Sequence, residues 1–162
     1  CSTYKSEMKK LILLFSILGF ISCNQNELSN SEIEQEIINV TKEYNQAWET
    51  VDMEIVAQFH TDDVRYYWHG FQASSSNEEF LSVFKEWMST TKIWKMEVEN
   101  FDVQVLGKDI AIIGFNSSKS ISILTSGENH DYGTGAFTYV WKKTNDEWKI
   151  IHIHESALEK EQ

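Results

Sequence analysis

The chain changes its hydrophobic rhythm once, near residue 93. Before that point apolar residues recur every three to four positions, and after it they alternate. Ile33, Ile37, Val40, Tyr44 and Trp48 lie at helical spacing, and Ser31 with Glu34 offers a capping box. The pattern predicts a first helix over about residues 31–50. Asp52 is placed to cap a short second helix carrying Met53, Val56, Ala57 and Phe59. "DDVRYYWHG" then reads as a strand with Val64, Tyr66 and Trp68 on one face and Arg65, Tyr67 and His69 on the other. Gly70 ends it. Ser76 and Glu79 repeat the capping logic and open a third helix with Phe80, Val83, Phe84, Trp87 and Met88.

From Ile93 the period is two. Trp94, Met96 and Val98 alternate, and Phe101, Val103 and Val105 continue in the opposite phase, so a bulge is expected at Glu99-Asn100. Turn signals at 107–109, 126–129 and 144–147 separate strands near 110–124, 132–142 and 148–155. The order predicts an α+β domain with helices on one face of a curved antiparallel sheet. "SSKSIS" (117–122) reads as a solvated strand without chemistry. In "WKIIHIHES" a regular strand places Trp148, Ile150, His152 and His154 on one face and Glu155 on the other. Two imidazoles side by side suit a metal clip, an acid–base pair or the polar mouth of a pocket.

Composition narrows these readings. At 162 residues, 13% of them aromatic, the chain supports one domain with a real core. It carries 14 basic against 25 acidic residues. Arg65 is the sole arginine, so no cationic face exists for nucleic acid. The two cysteines, Cys1 and Cys23, precede the globular part, which excludes a disulfide framework. "MKKLILLFSILGFISCN" has two lysines, an apolar run from Leu11 to Ile21 and a small residue before Cys23. This is secretory signal layout, too short for a membrane span. Its end resembles the lipobox of bacterial lipoproteins, in which the cysteine is lipidated. The expected division is 1–22 upstream residues and signal (Met8 as the start), 23–30 lipidated cysteine and polar tether, 31–158 domain, and 159–162 tail.

Within the domain, "EYNQAWETVDMEIVAQFHTDDV" (43–64) and "GTGAFTYVWKKTNDEWKIIHIHES" (133–156) carry a family resemblance. The first resembles the opening pattern, and the second the closing hairpin, of the nuclear transport factor 2-like superfamily, in its SnoaL-like and uncharacterised branches. The association domain of calcium/calmodulin-dependent protein kinase II ends similarly. The resemblance covers about residues 31–158. It implies a cone in which three N-terminal helices pack in a strongly curved, mostly antiparallel sheet, with an open-ended pocket. It also implies a homodimer through the outer face of the sheet.

Given that resemblance, His152 and His154 are expected at the pocket mouth. Tyr44 falls where the ketosteroid isomerases of the superfamily keep their tyrosine, but Trp68 occupies the place of their aspartate. The isomerase reading therefore loses its base. A cyclase- or dehydratase-like variant would use His152 or His154 as base with Tyr44 as donor, without a cofactor. A binding site formed by Trp48, Tyr66, Trp68, His152 and His154 would take a small, largely apolar molecule. A metal would need a third ligand, and His60, His69, His130, Asp62, Asp63, Asp131 and Glu155 have no diagnostic spacing for one. No metal is expected. The leading expectation is a binding domain tethered to the bacterial envelope, in the periplasm or at the outer membrane, touching membrane only through its lipid. The alternatives are an acid–base enzyme and a dimerisation module.

Overall fold

Helix α1 (Asn30–Glu49) is capped by Ser29, two residues earlier than the expected cap. Two S-x-x-E frames overlap here, and the upstream one forms. The Ser29 side chain accepts from the Glu32 amide at 3.3 Å, and the Glu32 carboxylate accepts from the Ser29 amide at 2.7 Å. The earlier start adds half a turn ahead of Ile33, the first buried residue of the helix. Asp52 caps α2 (Met53–Ala57), and Ser76 caps α3 (Asn77–Met88), both as the pattern predicts. The computed structural model describes residues 28–157. The signal segment, Cys23 and the tail lie outside the described residues.

Six strands follow in one sheet: β1 (His60–Trp68), β2 (Phe71–Ser74), β3 (Thr91–Gly107), β4 (Ile110–Leu124), β5 (Asn129–Thr144) and β6 (Glu147–Ala157). Their order is β2-β1-β6-β5-β4-β3. All neighbours are antiparallel except β1 and β6, which run parallel. β2 is an addition to the expected elements, since its four residues are too few to show a period. It closes a two-residue hairpin at His69 (φ 47°) and Gly70 (φ 88°), the positive dihedrals that such a turn requires. Asn145 and Asp146 do the same between β5 and β6, with φ of 53° and 64°.

The long strands bend at bulges. Register slips between Glu99 and Asp102, where Asn100 has φ 58°, at the expected break in alternation. A second slip falls in β6. Trp141 pairs with Ile150 and Val140 with His152, so Ile151 is the extra residue. Inside the curved sheet α1 buries Ile33, Ile37, Thr41, Tyr44 and Ala47. Glu36 ties this helix to the β5–β6 hairpin by accepting from the Trp148 indole at 2.9 Å and the Lys143 ammonium at 3.2 Å. These bonds hold the Glu36 carboxyl below its ordinary pKa, the indole bond foremost.

Candidate functional site: an aromatic cavity with one paired carboxylate

The bulge at Ile151 decides which side chains of β6 face inward. Upstream of it Trp148 and Ile150 are buried; downstream the buried residue is Ile153. Ile153 and Glu155 line a cavity of about 1000 Å³ that opens at one end of the cone. Their partners across β5 are Tyr139 and Phe137, which line it too. His152 and His154 pair with Val140 and Thr138 and so share the opposite, outer face. The expectation that the two imidazoles rim the pocket is corrected here, because one inserted residue reverses the phase of every side chain after it. On the outer face His152 stacks on Tyr67, with ring centroids 5.3 Å apart, and Arg65 is its neighbour across β1. Partial burial, then the His154 and Arg65 charges, keep His152 below the ordinary imidazole pKa.

The other expected site residues do meet in the cavity. Tyr44 and Trp48 come from α1, Tyr66 and Trp68 from β1. Trp68, 41% exposed, stands at the mouth beside Phe71, their rings 5.7 Å apart. α3 supplies Phe80, Phe84 and Trp87. The rings meet edge to face: Trp48 lies 5.2 Å from Phe84, Tyr66 5.3 Å from Phe84, and Trp87 5.3 Å from Trp94.

Two polar arrangements are set into this aromatic wall. In the first, Tyr66 donates its hydroxyl proton to Glu155 Oε2 at 2.6 Å. Burial raises the Glu155 carboxyl above its ordinary pKa, and the Tyr66 bond and nearby His69 oppose the rise. Glu155 was assigned to the outer face on the assumption of a regular strand. The adjacent Ile150-Ile151 pair, which breaks the alternation, is the signal that could have placed it correctly.

The second arrangement is a chain of bonds behind Tyr44. Asn77 donates its amide to the Ala57 carbonyl at 3.1 Å, which leaves its Oδ1 to accept from His60 Nδ1, also at 3.1 Å. His60 Nε2 is then the acceptor for the Tyr44 hydroxyl at 3.0 Å. Burial, opposed by the Asn77 bond, pushes His60 down to about 4, so it is neutral near pH 7. Burial also drives the Tyr44 hydroxyl well above the usual phenol range, against a lowering contribution from the Trp48 indole. The hydroxyl is therefore a neutral group with its proton committed to His60. From spacing alone His60 offers itself only as a metal ligand.

The "SSKSIS" stretch also departs from expectation. Ser117, Ser120 and Ser122 are buried, because β4 is an interior strand of the curl rather than a solvated one. Ser117 and Ser120 line the cavity, and the Ser117 hydroxyl accepts from the Gly135 amide at 2.8 Å. Among the described residues no three histidine, cysteine, aspartate or glutamate side chains converge as a metal site.

The fold of this cone is shared by known proteins. The SnoaL-like domain family matches residues 37–159, and the chain belongs to it. No curated protein matches the sequence. Solved structures share the nuclear transport factor 2-like fold. One is a nuclear transport factor 2-like superfamily protein from Salmonella enterica, 18% identical, TM-score 0.71, covering 83% of this chain and 96% of that one. Another is a provisionally named dehydratase of the same family from Streptomyces avermitilis, 19% identical, TM-score 0.70, covering 82% and 100%. A third, provisionally named a calcium/calmodulin dependent protein kinase II association domain, comes from Xanthomonas campestris. It is 21% identical, TM-score 0.64, and covers 76% and 86%.

Proposed function

We propose that the cone is a binding site for a small, largely apolar molecule, gripped by aromatic rings and oriented by the Tyr66–Glu155 pair. The observation that carries this reading is that pair, set on the wall of an otherwise largely apolar cavity of about 1000 Å³. A cavity of that size forgoes packing energy, and a protein keeps such a space where a ligand fills it. Native mass spectrometry of the purified chain tests the reading. Bound non-protein mass that is lost in a Trp94→Ala, Phe84→Ala double variant is the expected result. A bare chain that also takes up no aromatic compound at millimolar concentration would sink it.

An acid–base activity is the second reading, favoured by a carboxyl with a raised pKa in the same cavity as Tyr44. Glu155 would exchange the proton and Tyr44 would orient the substrate, with His60 holding the Tyr44 hydroxyl in place. A SnoaL-like family member with a provisionally named dehydratase among its structural neighbours suits this chemistry. Turnover abolished by Glu155→Gln, with folding intact, is its test.

His152 and His154 belong, in this reading, to a homodimer interface on the outer face with Tyr67. A Tyr67→Glu variant that sediments as a monomer supports it, and one that sediments like the wild type removes it. Lipidation at Cys23 is proposed as the envelope tether. Incorporation of a labelled fatty acid, lost in Cys23→Ala, is the expected result.

A further inference from the structure

Two carboxyl groups stand on the cavity wall. Among the described residues no lysine or arginine lines it, whereas Glu155 and Asp131 do; the remaining titratable cations are the imidazoles of His69 and His130. His130 is turned to Glu128, its Nε2 3.3 Å from that carboxylate. The Asp131 carboxylate accepts from the Gly133 amide at 2.9 Å. Glu155 stands on the inner wall, and Tyr66 is its one side-chain hydrogen-bond partner among the described residues. That bond, O–H to carboxylate, favours the ionised acid and occupies one of its two oxygens. The other oxygen remains for a ligand.

The rings near this acid form a continuous path that reaches Trp87, which is 38% exposed. Tyr66 leads to Phe84, Phe84 to Trp48 and Trp87, and both tryptophans to Trp94, at centroid separations of 5.2 to 6.4 Å. The faces of such rings carry negative charge density and attract a cation within about 6 Å. An anion beside Glu155 would meet a carboxylate with no lysine or arginine among the described lining residues to offset it. The chain as a whole carries a net charge of −11, which adds a field of the same sign.

We infer that the ligand of this cavity is an organic cation: a protonated or quaternary amine on an apolar body, its nitrogen at Glu155 and its body along the aromatic path. This deepens the binding reading given above and rests on it.

A matched series tests the charge without changing the skeleton: 3-phenylpropylammonium, 3-phenylpropan-1-ol and 3-phenylpropanoate, titrated calorimetrically into the full chain at about pH 8. The ammonium is expected to bind about tenfold more tightly than the alcohol, and the carboxylate most weakly. In Glu155→Gln, which keeps an acceptor for Tyr66, the ammonium should fall to the affinity of the alcohol. A cooperative thermal melt of that variant at the same pH reports an intact fold. An alcohol or carboxylate that binds as well as the ammonium overturns the inference while leaving the binding reading in place. Failure of all three to bind would remove the binding reading and this inference together.

Discussion

The two ends of the cone differ although one helix serves both. At the closed end Ile33 and Ile37 of α1 are at most 1% exposed and join Trp141 and Ile150 in the core, with Glu36 bonded across to Trp148. At the open end Tyr44 and Trp48 of the same helix face a cavity, and the walls are rings in edge contact rather than interlocked aliphatic chains. Four large apolar side chains there, Trp68, Phe71, Val83 and Trp87, are each more than a third exposed. On the proposed binding function, stability is concentrated at one end and recognition at the other.

The largest test of that division is Ile37→Ala. It should cost about 2–5 kcal/mol in chemical denaturation, the ordinary cost of a core cavity, while leaving ligand uptake intact at low temperature. A cost below about 1 kcal/mol would mean that the closed end is not the stabilising one.

His60 sits at the seam between the ends, at the start of β1 and behind Tyr44. Its folded pKa, near 4, lies below the ordinary 6.5. The unfolded chain therefore binds the proton first, and stability is full above about 6.5 and falls as pH drops toward 4. The loss from this group amounts to about 3 kcal/mol. Denaturation at a series of pH values should show that slope in the wild type and a flatter one in His60→Gln.

Glu155 gives the opposite sign. Its folded pKa is raised, so its contribution is complete below about 4.5 and is lost as pH rises through the folded value. Glu155→Gln should melt higher than the wild type near pH 8 and level with it near pH 4. A variant that melts lower throughout would show that the carboxylate is structural rather than held at a cost for binding.

The smallest effect is expected at the mouth. Trp68→Ala should change stability by no more than about 0.5 kcal/mol, because the ring is already 41% exposed, yet weaken binding of an aromatic ligand. Equal binding would confine the site to the inner wall.

Much of this was legible in the chain. Helical spacing with Asp52 and Ser76 caps located α2 and α3, and alternation with turn signals located the four long strands. The bulge at Asn100 showed as a slip of phase between Val98 and Phe101. The site was legible in half. Tyr44, Trp48, Tyr66 and Trp68 face the cavity as expected. Glu155, His60 and the serines of β4 were missed, each for a nonlocal reason. The facing of Glu155 depends on pairing with β5, that of the serines on which strands flank β4, and the partners of His60 lie 16 and 17 residues away.

The sequence by itself determined the elements, because periodicity and caps act within a few residues of chain. It also determined the acidic, aromatic character of the domain, because composition does not depend on folding. The chain shows a break in alternation at Ile150-Ile151, and the pairing of β6 with β5 decided which face looks inward. A strand with a two-residue period has two equivalent faces, and one extra residue at Ile151 exchanges the histidines for the carboxylate.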